Sequence, residues 1–315
     1  MMQIFKTRKD SEPAVTDKTE IIEPGCWIQL FGPTEEELFA VTQKCTIPPD
    51  FLKAALDDEE RPRIDYEEGV ALIVMDIPVT NANAEINNLT THPLGVIMTN
   101  DHIITVCSRQ TQILDDFIAG KVRHFNTIKK TRFLFQIFYR NASNYLHHLR
   151  QIEKSISRIE VDLHRSMKNE ELFQMMELEK SLIYFSTSLK SNEAVLERIL
   201  RTKPLKMYEE DAELLEDVII ENKQAMEMSQ IYSHILNSMT ETFATIVSNN
   251  LNIVMKFLAS VTIILAVPTM IASFYGMNVV GIPLSQAPYA FETIFGISFL
   301  ISLCLGIWMW TKKMF

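Results

Sequence analysis

Hydrophobic and polar positions fall into three regimes along this chain. Up to about residue 110, short apolar runs alternate with polar stretches. CWIQLFG, VALIVMDIPV, LGVIMTN and HIITVCS have the length and composition of strands. Between the first two, PTEEELFAVTQKC opens with a proline and three acids, as helix N-termini do. The pattern predicts an α+β domain of α/β/α type over residues 1–110. From about Ser108 the period changes. Leu146, Leu149, Ile152, Ile156, Ile159 and Leu163 recur at steps of three and four, the stripe of an amphipathic helix, so residues 111–205 read as a helical region.

Pro204 interrupts that helical pattern, and the next proline or glycine is Pro268. The spacing predicts one continuous helix over residues 210–274. Its 65 residues would extend roughly 97 Å at 1.5 Å per residue, beyond any globular need. Residues 206–256 would be a stalk, and acids such as Glu209 and Glu210 in its first turns suit the helix dipole.

In the third regime polar residues nearly vanish. Residues 257–280 hold 24 positions without a charge, and residues 293–310 hold another 18. A bilayer core of ~30 Å needs about 20 helical residues, so both segments can span. Trp308 and Trp310 supply an interfacial aromatic belt at the end of the second. Buried core helices would be an unusual explanation for two such runs in succession. The connection, residues 281–292, is uncharged as far as Phe291, whereas Lys312 and Lys313 follow the second span in a short basic tail, residues 311–315. Basic flanks stay in the cytoplasm, which predicts a two-span protein of the cell membrane with both termini cytoplasmic.

Charge sharpens the division. The first 250 residues hold 39 of the 40 acids and 27 of the 30 bases, a net of −12. That balance excludes a nucleic-acid partner, which needs a basic footprint, and suits a solvated domain or one that meets cations. The strongest acidic run is DDEERPRIDYEE, residues 57–68. It reads as a solvated loop face, with a divalent-cation regulatory site as the sharper alternative. The N-terminus lacks the apolar stretch of a signal peptide. Cys26, Cys45, Cys107 and Cys304 are scattered without a C-x-x-C pair, and read as small core residues in a reducing compartment. No phosphate loop, nucleophile elbow or H-E-x-x-H motif is present, so nothing points to an enzyme.

One helical row along the stalk and first span stands out: Glu241, Thr245, Ser248, Asn252, Met255, Ala259, Thr262, Ala266, Thr269 and Ser273. Within the span it is small or hydroxylated, whereas Ile253, Phe257, Ile264 and Ile271 form a bulky apolar row. Two readings stand side by side. Small polar residues pack helices against one another in membranes, or the row lines a wet pathway ending near Asn278. Two spans cannot enclose a pore, so the second reading requires a ring of subunits.

The segments SNNLNIVMKFL and VPTMIASFYGMNV resemble the CorA family of magnesium channels and transporters, whose pore helix ends in Gly-Met-Asn. DDEERPRID, THPLGVIM and HIITV are also similar to that family, so the resemblance covers nearly the whole chain. It implies a funnel-shaped homopentamer in which stalk helices continue as pore helices and the second spans form an outer ring. By the same resemblance Gly276, Met277 and Asn278 form the external mouth, with Gly276 suited to a left-handed turn that ends the helix. Thr269 and Asn252 match polar pore rings, Leu258 an apolar constriction, and Glu241 a carboxylate at the cytoplasmic approach, where the family usually has Asp. Ala259 and Thr262 would line the path between these rings. Asp217 matches a stalk residue that binds regulatory Mg2+, with a partner among the acids that begin with Asp57 and Asp58. Two departures matter. The external stretch GIPLSQAP lacks the carboxylate of the family's Met-Pro-Glu-Leu, and Ala266 stands where a bulkier gate residue occurs, shifting the dry part of the gate to Leu258 and Met255. The implied function is uptake of Mg2+, with Co2+ and Ni2+ as further cargoes, gated by cytosolic Mg2+. A zinc or other transition-metal transporter of the same architecture, or a membrane-anchored regulatory scaffold, are the alternatives.

Overall fold

The structure, a computed structural model, describes residues 1–8, 16–80, 89–166, 169–203, 205–278, 282–284 and 288–312. In chain order the elements are β1 (Met2–Thr7), β2 (Thr16–Thr19), β3 (Cys26–Phe31), α1 (Glu35–Cys45), α2 (Pro49–Ala54), β4 (Arg63–Glu67), β5 (Val70–Thr80), β6 (Leu89–Met98) and β7 (Ile103–Cys107). Helices follow: α3 (Gln112–Ile118), α4 (Lys130–Ser166), α5 (Asn169–Thr202), α6 (Glu209–Tyr275) and α7 (Ala290–Thr311). Contacts divide the chain into two compact units, Met1–Ser238 and Met239–Phe315, with the boundary inside α6.

The first unit is organised by one seven-stranded sheet in the order β2-β1-β3-β7-β6-β5-β4. Its pairings are antiparallel except β3 with β7, where Ile28 lies opposite Ile104. Helices cover both faces, which is why β5 reads as a nearly unbroken apolar run. Ala71, Ile73, Met75 and Ile77 enter a core with Phe117 of α3, Phe133 of α4, Leu196 of α5 and Leu215 of α6. Val70, Leu72 and Val74 enter the opposite core, with Leu38 and Val41 of α1 and Phe51 and Leu52 of α2. At the centre of the first core Trp27 meets Phe5, Phe117, Phe125 and Phe133 edge-on or tilted, and its indole N–H donates to the Thr105 hydroxyl at 2.9 Å.

Local signals behave as their chemistry requires. The expected helix over residues 33–45 is α1, capped by Thr34, whose hydroxyl accepts from the Glu37 backbone while the Glu37 side chain accepts from the Thr34 backbone. The long helix extends one residue beyond the expected 210–274 at each end, and its 67 residues extend roughly 100 Å. Asp211 caps its start by accepting from the Tyr208 backbone at 3.1 Å. Against α5 it is pinned by two side chains one heptad apart. Asn222 donates to the Leu189 carbonyl and Ser229 to the Leu182 carbonyl. Pro204, the predicted break, lies outside the described residues.

Three expectations need correction. Residues 57–68 are not a loop throughout: after a turn, β4 pairs with β5, and Ile64 is buried while Arg63 bonds to Glu60 and Asp65 beside it. Such charge suits an edge strand, whose open side must not template another chain. Strands β1 and β2 were not anticipated, because MQIFKT and TDKT are too short and polar to signal a strand without their partners. Of the four cysteines, Cys26, Cys45 and Cys107 are buried, but Cys304 is exposed, on a face of α7 that no protein covers.

Candidate functional site

Within the second unit, α6 and α7 are both long and apolar enough to cross a membrane. They lie side by side with opposite chain direction. A Cβ on Gly306 would sit 3.7 Å from Ile264 Cδ1. Further along, Pro268, Ile271 and Tyr275 of α6 share a cleft of about 770 Å3 with Phe295, Ser298 and Ser302 of α7. Ser260 on α6 is fully buried, and Ile264, Pro268, Ile271 and Tyr275 are half-buried. This is the face of α6 turned toward α7.

The polar row lies mostly on a different face, with Thr269 at the border, where it also lines the cleft with α7. Glu241, Asn252, Met255, Leu258, Ala259, Thr262, Ala266, Thr269 and Ser273 are all exposed in the single chain. Thr262, Ala266, Thr269 and Ser273 line one side of a shallow groove of about 480 Å3, built from α6 residues throughout. The bulky row divides: Ile264 and Ile271 face α7, whereas Ile253 and Phe257 remain exposed. Ser260 is the position that sequence reasoning missed. It lies off the polar row, and a small residue among apolar neighbours was the available signal.

The three threonine hydroxyls of the row share one geometry. Thr245, Thr262 and Thr269 donate to the carbonyls of Glu241, Leu258 and Leu265, four residues back, at 3.0, 2.8 and 2.9 Å. With its proton committed to the backbone, each hydroxyl offers only oxygen lone pairs outward. At these three positions the row therefore presents acceptors without carrying charge.

At the end of α6 the Gly276 N–H still donates four residues back, to Ala272 at 2.9 Å, and the Met277 N–H donates three back, to Phe274 at 3.3 Å. The helix thus stops by tightening its last turn. The expected left-handed conformation at Gly276 does not occur, since its φ lies outside the positive range that includes Gly25, Gly32, Gly69 and Gly120. A Cβ there would meet only the Ala272 and Ser273 carbonyls, at 3.4 and 3.6 Å. Met277 and Asn278 follow, both exposed. Val279, Val280, Gly281, part of the connection after them, and Lys313 lie outside the described residues.

The regulatory candidates sit in the first unit. Asp57 and Asp58 are exposed in the turn after α2, and Asp57 Oδ1 accepts from the Glu59 N–H at 3.0 Å. Asp58 Oδ1 accepts from Ser108 Oγ at 3.2 Å and lies 3.1 Å from His92 Nδ1. His92 lies within β6 and Ser108 just after β7, so only the fold brings them to Asp58. Asp217 is exposed on α6. Among the described residues no three His, Cys, Asp or Glu side chains converge as a metal site within one chain.

The described residues thus hold a sheet covered on both faces, a helix of 67 residues, and two helices long and apolar enough to cross a membrane, the first with an acceptor-lined face. The model of the CorA-like Mg2+ transporter protein family matches residues 23–313, and the chain belongs to that family. It is 29% identical to the cobalt/magnesium transport protein CorA of Methanocaldococcus jannaschii over 287 residues, 87% of this chain and 86% of that one. The complete structure of the M. jannaschii CorA magnesium transporter superposes with a TM-score of 0.84 at 27% identity, covering 97% of this chain and 96% of that one. The cytoplasmic domain of ZntB from Vibrio parahaemolyticus covers 78% of this chain and 98% of its own with a TM-score of 0.64. At 11% identity that likeness concerns the fold alone.

Proposed function

We propose that the chain is a divalent-cation channel of the cell membrane, with both termini cytoplasmic, that admits Mg2+ and for which Co2+ and Ni2+ are further candidate cargoes. The observation that carries this reading is the row on α6, neutral and acceptor-rich from Asn252 to Ser273 and exposed in the single chain. Small and hydroxylated side chains pack helices against one another in membranes, and this row is left open in one chain, so copies of it meeting around an axis would cover it. A homopentamer is the assembly that the family resemblance implies, and the M. jannaschii magnesium transporter is the relative that supports the choice of ion.

In this assembly Glu241 stands at the cytoplasmic approach, Asn252 and Thr269 form polar rings, and Met255 and Leu258 form the dry constriction. Ala259, Thr262 and Ala266 line the wall between them. Gly276, Met277 and Asn278 make the external mouth. Glycine at 276 is not required by backbone conformation or by contacts within one chain, which fits a demand made by neighbouring subunits. Mg2+ prefers oxygen ligands and sheds its waters reluctantly. Neutral amides and hydroxyls that accept from its water shell hold it weakly enough to let it leave. A membrane potential negative inside drives entry by ~2.3 kcal/mol per charge per 100 mV.

Gating follows from the acidic first unit. Cytosolic Mg2+ would bridge Asp217 of one subunit to acids of its neighbour, Asp57 and Asp58 among them, and hold the ring closed. Loss of Mg2+ would leave like charges to repel and let the constriction wet. The test is ion flux in proteoliposomes, comparing Mg2+ with Co2+, Ni2+ and Zn2+. Mg2+ entry is expected, with Asn278→Ala abolishing it while leaving the assembled protein in the bilayer. Normal uptake by that variant would sink the proposed mouth. An Asp217→Ala channel that keeps its full dependence on cytosolic Mg2+ would remove Asp217 from the sensor.

A further inference from the structure

Away from the transmembrane helices, two histidines share one partner. His147 and His148 lie on α4 in the first unit, and Gln151 follows one turn later. His147 and Gln151 are exposed, and His148 is half-buried. Adjacent residues on a helix point about 100° apart, so two imidazoles in sequence ordinarily diverge. Here both rings reach the same side chain. His147 Nε2 lies 3.0 Å from Gln151 Nε2, and His148 Nδ1 lies 3.2 Å from Gln151 Oε1. The two ring centroids are 5.7 Å apart. Phe185 of α5 packs beside the His148 ring, with 6.3 Å between centroids. Burial lowers the pKa of His148 below the ordinary histidine value, against the pull of its hydrogen bond to Gln151. Its ring is therefore neutral at neutral pH, the form that ligates metals.

We propose that His147, His148 and Gln151 form a binding site for a first-row transition dication such as Ni2+, Co2+ or Zn2+. The inference goes beyond the transport reading and does not depend on it. Imidazole nitrogen suits these ions, whereas Mg2+ prefers oxygen. Without metal, one amide occupies the space between two ring nitrogens. Its NH2 donates to His147 Nε2, and its oxygen accepts from His148 Nδ1–H. An ion about 2.1 Å from each nitrogen would take the place of that amide. Histidine χ2 is a broad torsion, so the rings can turn toward the ion at little cost. The His148 proton moves from Nδ1 to Nε2, a tautomer change that leaves the ring neutral. Gln151, freed from its bridge, offers its oxygen as a third ligand, and water completes the shell on the exposed side.

The competing account is that these hydrogen bonds only stabilise the helix surface, as side chains three and four residues apart often do. Ni2+ binding separates the two. It is measured by isothermal titration calorimetry on the full-length chain, solubilised in detergent and carrying no polyhistidine tag. The buffer contains about 10 mM Mg2+, which fills oxygen sites without competing for imidazole. A Mg2+-resistant Ni2+ site is expected in the unaltered chain. His147→Ala and His148→Ala should each weaken it roughly tenfold or more, and Gln151→His, which supplies a third imidazole, should tighten it about as much. Melting temperatures without metal show whether each variant is folded, and the gain in Gln151→His cannot arise from misfolding. Absence of a Mg2+-resistant site in the unaltered chain overturns the inference. So does a site that both alanine variants keep at full affinity, which would place the ion elsewhere and leave the histidines as partners of Gln151 alone. Because the readout is equilibrium binding, a chain that fails to admit Mg2+ would overturn the transport reading and leave this one standing.

Discussion

The Thr269 hydroxyl donates to the Leu265 carbonyl at 2.9 Å, one turn back along α6. That bond turns a group able to donate or accept into a pure acceptor, the form that a water shell on a cation requires. Thr269→Val keeps the shape and removes the oxygen. It is expected to slow Mg2+ influx roughly tenfold, the equivalent of about one hydrogen bond in the path, whereas Thr269→Ser should conduct nearly as well. Stopped-flow influx into proteoliposomes with a Mg2+-sensitive dye measures both. Equal rates for Val and Thr would take this position out of the conducting row.

In the first unit, the buried Asn192 side chain acts as a stand-in for a strand. Pairing of the edge strand β4 with β5 ends at Val74, opposite Arg63, so β4 offers Asp76 no partner. Asn192 on α5 accepts from the Asp76 N–H at 2.9 Å and donates to the Asp76 carbonyl at 2.8 Å, and Asn141 and Tyr145 of α4 donate to the same carbonyl. Asn192→Ala leaves a buried backbone N–H unpaired, which is expected to cost about 1–3 kcal/mol. Asn192→Asp, which keeps the acceptor, should cost less. Thermal unfolding of the detergent-solubilised chain followed by circular dichroism separates the three proteins.

The Asp76 side chain makes the same junction sensitive to pH. Burial raises its pKa above the ordinary carboxylate range, partly offset by the Ser188 hydroxyl, which donates to it at 2.6 Å, and by nearby His92. A carboxyl whose pKa is raised on folding takes up a proton in the folded state. Its contribution to stability is therefore fullest below the ordinary carboxylate pKa and is lost as pH rises through the raised value. Asp76→Asn, neutral at every pH, is expected to gain in melting temperature relative to the unaltered chain as pH climbs from 4 toward 7. A difference that is flat across that range would show that Asp76 ionises freely in the fold.

Gly95 on β6 exists for a close approach. A Cβ there would lie 2.3 Å from Ala55 Cβ, at the end of α2 just before the Asp57–Asp58 turn. Gly95→Ala is expected to destabilise the fold by about 1–3 kcal/mol, the usual cost of overpacking a core. Adding Ala55→Gly should return much of it, as contacting residues couple in a double-mutant cycle. If cytosolic Mg2+ acts at that turn, the single variant should also weaken inhibition of influx by Mg2+ before it unfolds, measured as the inhibitory concentration.

Much of this architecture was legible because its signals are local. The apolar run of β5, the Thr34–Glu37 cap and the absence of proline from Leu205 to Val267 each depend on neighbours in sequence alone. What escaped reading depends on partners far along the chain. TDKT becomes β2 only because β1 lies beside it, and Asp58 meets His92 and Ser108 across separations of 34 and 50 residues. The end of α6 was misjudged for a related reason. Glycine after a helix usually signals a left-handed cap, but Gly276 continues the hydrogen-bonding of the helix for one more residue.

The sequence by itself determined that this protein has an acidic α+β region, a helix far longer than any globule needs, and two bilayer-length segments with Gly-Met-Asn after the first. Composition and periodicity suffice for these, since they record where each stretch can be buried. Only the tertiary structure decided which face of α6 meets α7 and which is left open. Periodicity sorts residues into rows without saying what each row will touch. Ser260 and Ile264 turned inward and Thr262 and Ala266 outward because α7 covers one side of the helix and nothing among the described residues of the single chain covers the other.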